Sequence, residues 1–146
     1  MPSVHASAVL LGARALLIRG PSGAGKSRLA LALLRAAETG HPAFARLVAD
    51  DRCLIEPHHG RLVVRPAPGL AGLIEVRGLG IRRLPYEPAA VVGQVVDLAA
   101  QDGDRLPDAA SQRVVIEGVL LTRLAVAAEG DPLALVLASL ATGPTG

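Results

Sequence analysis

The chain has one lysine. Of fifteen Lys plus Arg residues, all but that one are arginine, so the position that keeps an ammonium stands apart in a protein whose default cation is a planar guanidinium. Aromatic residues are almost as scarce, with one Tyr, one Phe and no Trp among 146 residues. That argues against nucleic-acid binding by base stacking on aromatic platforms. It also means that a 51% hydrophobic chain must build its core from Leu, Val, Ile and Ala. Cys53 is the only cysteine, which excludes an internal disulfide and argues against a cysteine metal cluster, leaving a small buried hydrophobe as its expected role. No basic run exceeds Arg82-Arg83 at a formal net charge of +2, so no dedicated nucleic-acid surface is expected. A basic, apolar leader and an apolar run of about 18 residues are missing too. A cytoplasmic protein with no membrane partner is the expectation.

What is present is organised about Gly20-Pro21-Ser22-Gly23-Ala24-Gly25-Lys26-Ser27, which fits G-x-x-x-x-G-K-[ST] between an apolar run and a helix-like segment and contains the lone lysine. Glycines let successive backbone N–H groups turn inward on a polyphosphate, and the following helix adds its amino-terminal dipole. In such a loop Lys26 reaches the β and γ phosphates, and the Ser27 hydroxyl ligates a Mg²⁺ that bridges them. The cofactors expected are therefore ATP and Mg²⁺.

Around the loop, Val4 to Leu11 and Arg14 to Arg19 read as two strands joined at Gly12, and Lys26 to Glu38 as an amphipathic helix ended by Gly40-His41-Pro42. Arg46 to Ala49 is expected as a short strand lying parallel beside the loop strand and finishing in Asp50-Asp51. Acids leaving a strand at the carboxyl edge of an open α/β sheet face bound ligand. One of the pair suits a water-mediated Mg²⁺ contact and the other suits accepting a proton from an attacking hydroxyl, while a solvated turn pair is the alternative.

Leu54 to Glu56 and Leu62 to Arg65 form an expected hairpin about His58-His59-Gly60, whose two adjacent histidines should point apart and make a poor metal site. Pro66, Pro68, Gly69 and Gly72 mark an irregular connection, and Val91 to Leu98 reads as a buried strand. Gln101 to Gln112 is loop-like, and Arg113 to Val126 holds one or two strands broken near Gly118. Asp131 caps a last helix that begins at Pro132. The length suits one domain, residues 1–141, with a frayed tail at 142–146.

Three landmarks in one order resemble a known family: Val4-His5-Ala6 ahead of the glycine loop, Leu47-Val48-Ala49-Asp50-Asp51, and Ile74-Glu75-Val76-Arg77-Gly78-Leu79-Gly80-Ile81. Together they look like the catalytic domain of HPr kinase/phosphorylase, in a short form without the amino-terminal domain. The resemblance implies an α/β fold with a P-loop NTPase-like core similar to that of phosphoenolpyruvate carboxykinase, a mixed sheet with flanking helices. It implies an ATP-dependent protein-serine kinase acting on the phosphocarrier HPr, or a nitrogen-type HPr, in the phosphotransferase system. Members are commonly hexamers, which leaves a homo-oligomer open here.

Carried over by residue, Gly20 to Ser27 match the nucleotide loop, Ser27 and Glu75 match Mg²⁺ ligands, and Asp51 matches the base that takes the serine proton. Asp50 supports metal or geometry, His5 matches an active-site histidine, and Arg77 joins Lys26 in neutralising charge. Arg105, in Asp104-Arg105-Leu106-Pro107, matches a further active-site arginine or is a solvated loop residue. The family's late Pro-Val-x-x-Gly-Arg-Asn-like segment, associated with dephosphorylation, has no match, so the kinase direction is the one implied. A small-molecule P-loop kinase and a nucleotide-sensing domain with little turnover are the alternative readings.

Overall fold

A computed structural model describes residues 2–143; the tail expected to fray, 142–146, lies outside the described residues from 144 onward. In chain order the elements are β1 (Ser3–Val4), β2 (Ser7–Leu11), β3 (Arg14–Arg19), α1 (Lys26–Ala37), β4 (Ala45–Ala49), β5 (Cys53–His58) and β6 (Arg61–Pro66). β7 (Leu73–Val76), β8 (Gly80–Arg83), β9 (Ala90–Asp97), β10 (Arg113–Ile116), β11 (Val119–Ala125) and α2 (Pro132–Ala141) follow.

The central strand, β3, has four consecutive buried residues, Ala15 to Ile18, because both of its faces are covered. Ala15 and Leu17 point into one apolar cluster, closed by Ile55, Leu62 and Val64 of the β5–β6 hairpin, where the sheet folds back over itself. Leu16 and Ile18 point into the other, with Leu29 and Leu33 of α1, Ile74 of β7 and Val136 of α2. Helix α1 buries Lys26, Leu29, Ala30 and Leu33, a spacing of three and four that puts one stripe against the sheet. Leu33 is fully buried in this stripe, so Leu33→Ala is expected to cost about 2–5 kcal/mol, read as a lowered urea midpoint.

The main sheet runs β1-β5-β6-β9-β3-β2-β4, with β11 also on β9 and β10 beyond it. Strand β9 carries two partners on one edge: β6 pairs antiparallel with Ala90 and Val91, and β11 pairs parallel from Gln94 to Asp97. Its other edge pairs parallel with β3, with an irregularity between Ala15 and Leu16 that leaves Gly93 opposite no residue. A Cβ at Gly93 would sit 2.7 Å from Cβ of Arg14, so only glycine fits under that side chain.

Two expectations are corrected. The run from Val4 to Leu11 is not one strand: it breaks at His5-Ala6, β1 joining β5 at the far edge while β2 pairs with β3 and β4. Strand β4 does not lie beside β3 either. Strand β2 intervenes, antiparallel to both, because a two-residue turn at Gly12-Ala13 makes the local β2–β3 hairpin available before any crossover. Since β2 reverses direction twice, β4 still runs the same way as β3, and its carboxyl end emerges at the same edge.

Candidate active site

Four carboxyl-terminal strand ends meet at one edge: β3 leads into the glycine loop, β4 into Asp50-Asp51, β9 into Leu98-Ala99 and β11 into the connection to α2. Gly23 and Gly25 sit at φ 82° and 101°, the left-handed region open to glycine. Gly25 is the N-cap of α1, no side chain caps that helix, and no acid stands in its first turn. Among the described residues the first-turn N–H groups of α1 thus lack a side-chain acceptor, at the end of the helix that favours an anion. Lys26, 8% exposed, has no carboxylate partner among the described residues; its Nζ donates to the carbonyls of Gly20 (2.9 Å) and Pro21 (3.2 Å).

Asp50 is the hub. It is 6% exposed and accepts from Ser27 Oγ (2.8 and 2.9 Å to its two oxygens), from Ser7 Oγ (2.7 Å) and from the backbone N–H of Glu75 (3.0 Å). These bonds tie the loop, β2 and β7 to the end of β4. The Ser7 hydroxyl also accepts from the N–H of Asp51 (3.1 Å). Asp51 itself stands at φ 65°, with Arg52 N–H donating to the Asp50 carbonyl at 2.7 Å across a three-residue turn. A left-handed aspartate of this kind stores strain of about 1–3 kcal/mol and directs attention to what it presents. Its side chain is exposed, and among the described residues its carboxylate accepts no hydrogen bond.

His5 sits where the chain crosses from β1 to β2. Its Nε2 lies 3.1 Å from Arg52 Nη2. A guanidinium can only donate, so that nitrogen accepts and the ring proton resides on Nδ1. Glu75 and Arg77 lie in the β7–β8 hairpin with exposed side chains, Glu75 entering the cluster through its backbone alone. Glu75 therefore stands at the rim, and Asp50, rather than Glu75, touches Ser27. The structure does not bring Arg105 to this cluster: it lines a separate cavity of about 690 Å³ with Arg14, Gly93 and Leu140, to which the glycine loop contributes nothing.

Elsewhere, His58 and His59 do not point apart as expected. Their rings meet edge to face with centroids 4.3 Å apart, since the tight turn at His59-Gly60 brings the second ring back over the first. Among the described residues no three His, Cys, Asp or Glu side chains converge on a metal position. Cys53 is buried, and burial pushes its thiol up to about 12, so it behaves as a small hydrophobe.

One polar network behind the loop escaped the sequence reading. Arg19, the last residue of β3, forks onto Asp97 at the end of β9 (2.7 and 2.8 Å). Arg123 of β11 donates to Asp97 (2.6 Å) and forks onto Asp102 (2.8 and 3.0 Å). Burial acts to raise the Asp97 pKa, but the hydrogen bonds and charges of Arg19 and Arg123 outweigh it and hold the carboxyl below the usual range. The visible signal was an acid closing an apolar run, the same signal that marked Asp50.

A folded-state pKa below the unfolded one contributes stability above the ordinary aspartate value, and the contribution is lost as pH falls through the folded value. Wild-type urea midpoints should accordingly drop as pH is lowered from about 5. Asp97→Asn should be less stable at neutral pH and show a flatter decline, and parallel acid profiles for the two proteins would remove the network from the stability account.

A glycine loop between a central strand and a helix with no side-chain cap, its serine bonded to a buried carboxylate at the end of β4, is the architecture of a phosphate-loop α/β protein. A family model described as the HPr serine kinase C-terminal domain matches residues 2–85, and the chain belongs to that family. It is 32% identical over 152 aligned positions to the HPr kinase/phosphorylase of Limosilactobacillus reuteri, covering 95% of this chain and 45% of that protein. It is 39% identical over 102 residues to that of Clostridium tetani, covering 62% of this chain and 31% of the relative. The chain thus spans less than half of the length of these curated relatives, 45% of the one and 31% of the other. The solved structure of the Hpr(Ser) kinase/phosphatase from Coxiella burnetii superposes with a TM-score of 0.77 at 19% identity, over 97% of this chain and 95% of that one, a likeness of fold. No helix among the described residues is long and apolar enough to cross a membrane.

Proposed function

We propose that the chain is an ATP-dependent protein-serine kinase whose acceptor is an HPr-type phosphocarrier protein of the phosphotransferase system. Family membership and the names of the relatives support the acceptor class. The observation that carries the chemistry is Asp51: a carboxylate exposed and without a partner among the described residues, held in a left-handed turn directly after Asp50, which grips Ser27 of the phosphate loop. A base must be reachable from solvent by a protein-borne hydroxyl, and Asp51 is, whereas the buried Asp50 is occupied by three donor groups.

The residues fit ATP and Mg²⁺. Loop amides and the uncapped α1 terminus suit the phosphates, and Ser27, Glu75 and water-bridged Asp50 would hold Mg²⁺, which usually keeps waters and binds through one or two carboxylates plus phosphates. When bound, the ion would supply neutralisation of charge on the β and γ phosphate oxygens. In the transfer, the acceptor serine Oγ forms a bond to the γ phosphorus as the bond from that phosphorus to the β–γ bridging oxygen breaks. The bond pair leaves with ADP, and the serine proton passes to Asp51. Lys26 and Arg77 offset the charge that builds on the phosphoryl oxygens and leaving group, and His5, fixed as an acceptor by Arg52, helps orient the approach beside Asp51.

The test is incubation of the purified protein with Mg-ATP and HPr, or a nitrogen-type HPr, with phosphoserine read by mass spectrometry. A stoichiometric phosphoserine on HPr is the expected result. ATP binding with no transfer to any HPr-type protein would overturn the kinase reading in favour of a nucleotide sensor.

A further inference from the structure

A cavity of about 690 Å³ lies at the end of β3 opposite the glycine loop, and the phosphoryl-transfer chemistry uses none of it. We infer that it binds a small organic monocarboxylate with an apolar body, the carboxylate taken by Arg14 and Arg105 and the body by the leucines of floor and roof. The inference stands apart from the nucleotide reading, since neither the glycine loop nor Asp50, Asp51 or Glu75 borders the cavity.

The sheet sets the floor. Leu16 of β3, Gln94 of β9 and Thr122 of β11 pair in register, so they form one row across three parallel strands. Leu16 belongs to the apolar cluster under the helices, which puts the row on that face. Helix α2 roofs it with Leu135, Ser139 and Leu140 but buries only Val136, and the loop from Asp104 to Gln112 supplies the remaining wall. Leu11, Leu16 and Leu124 give the floor apolar surface, and Leu135 and Leu140 are exposed leucines of the roof. The volume falls within the range of small-molecule sites, about 300 to 1,000 Å³.

Hydrogen bonding then decides which polar groups are left for a ligand. Thr122 Oγ1 donates to the Gly93 carbonyl (3.3 Å), Ser139 Oγ to that of Val136 (2.7 Å), Ser111 Oγ to that of Asp108 (3.0 Å) and Gln112 Nε2 to that of Pro107 (3.0 Å). Arg123 is held by Asp97 and Asp102. Arg14 and Arg105 line the cavity with exposed side chains and have no hydrogen-bond or ionic partner among the described residues. Arg14 is also placed by the backbone: a Cβ at Gly93 would meet its Cβ, Cγ and Cδ at 2.7, 3.2 and 3.8 Å, so its stem lies along the glycine of β9. Guanidinium forks match the planar geometry of a carboxylate.

Charge narrows the class. Asp104 lines the same cavity, and its carboxylate accepts no hydrogen bond among the described residues. Two free cations against one free acid leave a single positive charge. One carboxylate balances it, whereas a dianion would set its second charge against Asp104.

Calorimetric titration with octanoate, suberate, 1-octanol and inorganic phosphate tests the site. Octanoate should bind with a dissociation constant of about 1 mM or below, and the dicarboxylate, the uncharged alcohol and phosphate should each be at least about tenfold weaker. Arg14→Gln and Arg105→Gln should each weaken octanoate by about tenfold, the value of a charge-assisted hydrogen bond. Leu140→Gln should weaken it by about threefold or more, while Arg113→Gln, at an exposed arginine outside the cavity, should stay within about twofold of wild type. Wild type that fails to bind octanoate at about 10 mM would overturn the site without needing a variant to fold. Octanol binding as tightly as octanoate, or octanoate binding untouched by both cavity arginine substitutions, would overturn the carboxylate assignment. Suberate or phosphate binding more tightly than octanoate would overturn the single-charge class, and an equal loss in Arg113→Gln would overturn the location.

Discussion

Asp51→Asn is expected to lower phosphoryl transfer to an HPr-type acceptor by about 10²–10⁴-fold, the range that a positioned general base contributes. ATP affinity should stay within about twofold of wild type, because the substitution removes a proton acceptor and leaves the phosphate cradle alone. Asparagine is the right probe for structural reasons. Residue 51 sits at φ 65°, a conformation that Asn tolerates at least as well as Asp, so the turn closed by Arg52 N–H on the Asp50 carbonyl survives. The bond from the residue 51 N–H to Ser7 Oγ is made by the backbone and survives too. Alanine would confound the measurement by adding backbone strain. Single-turnover phosphorylation separates the outcomes: a slow chemical step with normal binding supports the base, and full-rate transfer removes Asp51 from that role and points to Asp50 or to His5.

The part of this site that was legible in the sequence was the part encoded locally. Eight consecutive residues specify the loop, because glycine geometry, one ammonium and one hydroxyl need only their own order along the chain. Asp50-Asp51 was legible as an acid pair at a strand end, and so was the capped start of α2, where Asp131 and Pro132 act within one turn. What failed was adjacency. Whether β4 lies beside β3 or beyond β2 depends on pairing between residues as far apart as Ala8 and Ala49, and an apolar pentapeptide carries no label for its neighbour.

Charge partners failed for the same reason: Arg19 and Asp97 meet across 78 positions. Each ends an apolar run, but nothing local says that the two runs are parallel neighbours. The division of labour between the two aspartates was likewise unreadable, since burial of one and exposure of the other follow from a single left-handed residue. Arg105 shows the converse hazard. A likeness of a short segment left it either a catalytic arginine or a solvated loop residue, and the fold sets it in a cavity with Arg14, at the opposite end of β3 from the glycine loop.

Lys26→Ala is expected to abolish the thermal stabilisation that ATP confers, with affinity falling by about 100-fold or more, the value of one or two charge-assisted hydrogen bonds to phosphate. Absolute melting temperature is the wrong readout. In the free protein the Lys26 ammonium holds the carbonyls of Gly20 and Pro21, so its removal also costs the loop about 1 kcal/mol without any ligand. The difference between melting temperatures with and without saturating ATP cancels that basal loss.

Lys26→Arg is the sharper variant, because it keeps the charge. A guanidinium is broad and planar, and the ammonium it would replace is nearly buried against two carbonyls at 2.9 and 3.2 Å. Lys26→Arg should lose almost as much ATP stabilisation as Lys26→Ala. If arginine instead preserved the full shift, the single lysine in a chain otherwise supplied with arginine would have no chemical explanation at this site. If both variants kept it, the phosphate cradle itself would be misassigned.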